Sequence, residues 1–158
     1  MRFFRFAGLA AWLCAGLLMV SSGAEQPMKK VGVFDRNAIV YAYYHSPAWK
    51  NLVSRKQSEL EAARLAEDDQ STQRAQDWLN KSQDMVKNQF SDANAPIPNI
   101  LAALKPAFEE MKKTDGLADV VQSDKAEREV VQVDLTERLL DWLKIDKKTR
   151  DTIHQLHK

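Results

Sequence analysis

The apolar residues of this chain fall into segments whose spacing changes several times, and each change marks an element. Lys29 to Asp35 alternates, with Val31 and Val33 on one side, and predicts a short strand. Asp35 is placed to cap a helix over Arg36 to His45, on which Ile39, Val40 and Tyr43 form one stripe. Ser46 followed by Pro47 repeats that start signal. A hydroxyl accepts from the first free amides, and proline at the first helical position forfeits no hydrogen bond.

Between Pro47 and Phe90 there is no glycine and no further proline. Trp49, Leu52, Val53, Leu60 and Ala63 mark a first apolar group, and Ala75, Trp78, Leu79, Met85, Val86 and Phe90 a second. The polar run Glu67 to Thr72 between them has nothing to bury, so two antiparallel helical arms are expected, folding back there as a hairpin. Each arm of about 20 residues would reach ~30 Å. Ser91 to Pro98, with two prolines, reads as a linker. A third helical segment, from about Asn99 to Thr114, carries Ile100, Leu101, Leu104, Phe108 and Met111 on one face; Pro106 should kink it, and Gly116 should end it.

Leu117 to Gln122 and Glu129 to Val133 read as two strands joined through a turn at Ser123 to Ala126, hence a β-hairpin. Asp134 should cap a helix whose buried side is Leu139, Leu140, Trp142 and Leu143. Asp146 should cap a last helix held by Ile153 and Leu156, with Lys147, Lys148 and Arg150 in water. The fold class expected is α+β, mostly helical, with a small antiparallel or mixed three-stranded sheet as body and a projecting helical hairpin. Residues 25–158 would form one domain, with the body at 29–46 and 97–158 and the arms at 47–92.

The first residues change the picture. Arg2 and Arg5 precede the uncharged stretch Phe6 to Val20, and Ser22 and Ala24 stand where signal peptidase reads small side chains. A signal peptide over 1–24 is therefore expected, with export to the periplasm. The apolar run falls short of the about 20 residues that span a bilayer, so no stable membrane anchor is expected after cleavage. Cys14 is the single cysteine of the chain and lies inside that signal, leaving the mature protein without a disulfide or a cysteine metal site. Removing Arg2 and Arg5 from 23 basic residues leaves 21 against 22 acidic ones. This near-neutral balance argues against a nucleic-acid binder.

The order of strand, capped helix, polar arms, closing strands and capped helix resembles the Skp/OmpH-like periplasmic chaperone family. Val31-Gly-Val-Phe-Asp35 is similar to its opening strand. Ala118-Asp-Val-Val-Gln122, and Val133-Asp-Leu-Thr136 running on to Leu140, are similar to its closing strands and helix start. The resemblance implies a homotrimer whose arms enclose unfolded outer-membrane or envelope proteins. The chain differs from the family pattern in short arms, a near-neutral charge and the break at Ser91 to Pro98. An envelope structural or adaptor protein of the same fold, binding one defined partner, is the alternative.

Candidate chemistry narrows rather than widens this reading. No phosphate loop, nucleophile elbow, zinc helix or calcium loop is present, so neither a cofactor nor catalysis is expected. His154 and His157 are one turn apart without a third ligand, and are read as residues favoured at a helix C-terminus. Tyr41, Tyr43, Tyr44 and His45 suit a ligand pocket or a subunit interface, and are read in preference as core packing at the seam of two helices. Asp35 and Asp134 are read as caps in preference to an acid/base pair, and Ser46 as a third cap. Arm charges of alternating sign, Glu59, Glu61, Arg64, Arg74, Asp77, Lys81, Asp84 and Lys87, fit a solvated face. Leu60, Trp78, Leu79 and Met85 are the candidates for contact with a client.

Overall fold

The computed structural model describes residues 29–156. The proposed signal peptide, Cys14 and His157 lie outside the described residues. Strand β1 (Lys30–Phe34) leads into α1 (Arg36–His45), α2 (Pro47–Leu65) and α3 (Asp69–Ser91). Helix α4 (Pro98–Asp115), strand β2 (Asp119–Gln122), a 3₁₀ turn (Ser123–Lys125), β3 (Val131–Asp134), α5 (Thr136–Trp142) and α6 (Lys147–Leu156) complete the order. None of the described helices is long and apolar enough to cross a membrane.

The sheet corrects the expected fold class. β1 is central, in the order β2-β1-β3, and it pairs in parallel with both neighbours: Gly32 lies opposite Val120 on one side and Val133 on the other. The sheet is neither antiparallel nor mixed, and β2 and β3 are not a hairpin. Residues 123–130 carry the chain from the end of β2 back to the start of β3, so both strands enter in the same sense. Their apolar alternation serves equally for either partner, and β1 wins because its two edges accept both strands. Val31 and Val121 line a small cavity of 80 Å³ with Lys125, Glu127 and Val130 of that crossing segment, which covers the outer face.

The other face meets the core. Gly32, Val120 and Val133 share it, and Phe34 joins the buried cluster of Ile39, Ile97, Ile100, Leu104, Leu135, Leu139 and Leu140. Gly32 is required by close approach: a Cβ there would stand 2.5 Å from Leu135 Cδ1 and 3.0 Å from Leu117 Cδ1. Gly116 ends α4 with φ at 64°, the left-handed turn that glycine adopts without strain. The helix runs through Pro106 from Pro98 to Asp115. Leu101 and Trp142, expected on buried faces, are exposed at 37% and 42%.

The core draws on residues 34–44 and 97–153, and among the partly buried hydrophobic residues of the arms Trp49 and Val86 pack against it. Beyond those two points α2 and α3 pack on each other as an antiparallel pair, which gives the chain a body and an arm. Three residues make the tip. Glu67 takes φ at 53°, and the Asp68 side chain caps α3 by accepting from the Ser71 amide at 3.0 Å. Leu65 beside it is 88% exposed.

Candidate functional site

The caps position the arm. Asp35 Oδ1 accepts from the Ala38 amide at 2.9 Å, and the Asp35 amide donates to Thr136 Oγ1 at 3.0 Å, which ties the start of α1 to the start of α5. Ser46 is fully buried between α1 and α2; its hydroxyl donates to Tyr43 O at 2.6 Å and accepts from the Trp49 amide at 3.2 Å. One side chain thus closes α1 and opens α2. Asp134 stands one residue earlier than a cap: the helix starts from Leu135, and Asp134 Oδ1 accepts from the Thr136 amide at 2.8 Å. The apolar Leu135 takes the cap position because its side chain fills the core under Gly32. Asp35 and Asp134 are therefore occupied with local backbone amides.

From this base a run of aromatic contacts climbs into the arm. Phe90 lies 5.8 Å from Tyr44, Tyr44 meets Trp49 edge-on at 4.9 Å, and Trp49 lies 6.1 Å from Trp78 across the two helices. Burial pushes the Tyr43 and Tyr44 phenols above their ordinary range, so both stay protonated and Tyr44 can donate. Tyr41 stacks on His45 at 4.1 Å, and His45 Nδ1 lies 2.8 Å from Tyr41 O. The tyrosine cluster accordingly packs the seam between α1 and the arm.

An open groove of 350 Å³ follows the flank of the hairpin. Trp49 and Val53 of α2 wall it on one side, and Trp78, Leu79 and Val86 of α3 on the other, with Gln57, Ser82, Gln83 and Lys87 as its polar margin. The Lys56 ammonium stands 5.9 Å over the Trp78 ring and bonds Glu59 Oε2 at 2.5 Å. Indole and aliphatic walls with amide-bearing edges can hold an extended polypeptide through apolar contact while hydrogen-bonding its backbone. Nearer the tip a second cleft of 520 Å³ is lined by Ala62, Ala63, Ala66 and Ala75 among charged side chains, and offers far fewer large apolar contacts.

The four candidates from sequence separate here. Trp78 and Leu79 line the groove; Met85 is half-buried outside it; Leu60 is 8% exposed and packs inside the hairpin, away from the groove. Trp49, Val53 and Val86 belong to the groove as well, and the helical spacing of Trp49 with Val53 on α2 and of Leu79 with Val86 on α3 was their signal in the sequence. His154 Nε2 contacts Glu137 Oε1 at 2.8 Å, and Arg150, which was expected in water, bridges Glu137 and Asp141, joining α6 to α5. No cluster of three or more metal-ligating side chains occurs among the described residues.

Sequence reasoning missed Arg36 and Gln89, 7% and 3% exposed. Arg36 donates to the carbonyls of Gln89 at 3.4 Å, Asp92 at 3.2 Å and Ala95 at 2.7 Å. Gln89 accepts from the Tyr44 hydroxyl at 2.6 Å and donates to Pro96 O at 2.9 Å and Asn99 Oδ1 at 2.8 Å. Nothing in an Arg after an Asp, or a Gln near a helix end, distinguishes these from solvated residues. In comparisons with known proteins, no family model, no curated protein and no solved structure matches the chain, so the likeness to the Skp/OmpH-like family rests on its short motifs.

Proposed function

We propose that this protein is an exported, non-enzymatic holdase that keeps unfolded envelope or outer-membrane proteins from aggregating. The observation that carries the reading is the groove: two tryptophans and three aliphatic side chains, each only partly buried, line one open cleft on an arm that leaves the body. Contacts of this kind are non-directional, so they tolerate many sequences, and release needs no nucleotide. Self-association into a trimer would place several grooves around one client and raise the effective concentration of weak sites. The outer edges of β2 and β3, which carry no further strand among the described residues, are available for it.

The test is dilution of a denatured outer-membrane barrel into buffer with the mature protein, followed by light scattering. Suppression of scattering at near-stoichiometric protein supports the reading, and unchanged scattering removes it. A second reading is favoured by the preformed, tilted contact of Trp49 with Trp78: an adaptor that recognises one defined partner in the envelope. Crosslinking in cells separates the two, because an adaptor returns one dominant product and a holdase returns many.

A further inference from the structure

The arm joins the body at two places, the Ser46 junction and residues 92–97, and the second is where the sequence breaks any helix. A loop without helix or strand at the root of a long lever leaves the direction of the lever to the contacts that hold the loop. Here its carbonyls are gripped from the side. Arg36 of α1 spans the carbonyls of Gln89, Asp92 and Ala95, and Gln89 of α3 reaches Pro96 O, Asn99 and Tyr44. Asn99 Nδ2 closes the circuit on the Tyr44 hydroxyl at 3.1 Å. The guanidinium also sits against the C-terminal end of α3, where the free carbonyls carry partial negative charge.

We propose that Arg36 and Gln89 form a latch that sets the direction of the arm, and that opening it lets the hairpin swing about Ser46 and residues 92–97 without unfolding either part. The latch is polar, buried and built from groups on three helices; apart from Trp49 and Phe90 on the tyrosines and Val86 at the arm's root, the hairpin and the core are each held by their own apolar packing. Breaking it therefore releases the joint before it dissolves its neighbours. It stands on geometry independent of the holdase reading. Because Tyr44 touches both Gln89 and Trp49, it also sets the posture of the groove wall.

The experiment uses the mature protein, whose sequence contains no cysteine, labelled with nitroxides at Leu65→Cys on the tip and Glu110→Cys on α4. Pulsed dipolar spectroscopy should give a narrow tip-to-body distance distribution in the parent. Arg36→Lys, which keeps the charge but cannot span three carbonyls, and Gln89→Leu should each at least double its width, with helical circular dichroism retained. A width unchanged in either folded variant overturns the proposal. So does a broad distribution in the parent, which decides the matter even where a variant fails to fold.

Discussion

Trp49 of α2 and Trp78 of α3 lie with ring centroids 6.1 Å apart at an interplanar angle of 34°, and this pair joins the two arms just above the body. Both rings line the groove, and their contact ties the two helices of the hairpin together. Trp78→Ala should lower unfolding stability by about 2 kcal/mol, below the ~3–5 of a fully buried aromatic because Trp78 is only half-buried. Trp78→Phe should recover most of it. Urea titration followed by circular dichroism checks both, and equal midpoints for parent and Trp78→Ala would show that the pair contributes nothing.

Leu60 separates hairpin packing from client contact. Since it is buried between the arms, Leu60→Ala should cost about 2–3 kcal/mol and loosen the hairpin. Hydrogen exchange should rise first in α2 and α3 and leave α4 and α5 protected. A loss of client retention with unaltered exchange would place Leu60 on the working surface instead.

Gly32 reports the topology of the sheet. A methyl group there enters the space of Leu135 and Leu117, so Gly32→Ala should destabilise by about 1–3 kcal/mol through overpacking, and Gly32→Val by more. Thermal unfolding measures this. A neutral substitution would mean that β1 does not lie over Leu135, and the central position of the strand would fall with it.

Acid should act first at helix starts. The Ser71 hydrogen bonds hold the Asp68 carboxyl below its usual 3.8, and the Thr149 hydrogen bonds hold that of Asp146 below the same value. A carboxyl with a lowered pKa in the folded state contributes stability that is complete above its unfolded value and is lost as the pH falls through the folded one. Fraying at the tip and at the start of α6 should therefore develop below about pH 4. Asp68→Asn keeps a capping oxygen without a titration, so the Ser71 amide shift in that variant should lose its pH dependence. An unchanged titration would locate the acid sensitivity elsewhere.

Local starts and stops were legible in the chain because they are made by adjacent residues. Asp35, the Ser46-Pro47 pair and Gly116 bound their helices as their chemistry requires, and the polar run after Leu65 contains the three-residue tip. Strand pairing was not, since Val120 and Val133 alternate in the same way whether they face each other or flank Gly32, far away in sequence. Groove and hairpin interior were likewise confounded. Leu60 and Leu79 are both apolar residues on arm helices, and only the crossing of α2 on α3 decides which is covered. Arg36 was invisible because its acceptors are main-chain carbonyls, which no side-chain pattern records.

The measurement closest to the central claim is site-specific photo-crosslinking to a denatured outer-membrane barrel. A photoreactive residue replacing Gln83, on the margin of the groove, should capture the client at stoichiometric protein, whereas the same residue replacing Glu110 on the body should not. Equal capture from both positions, or capture from the body alone, would contradict a groove on the arm as the binding surface.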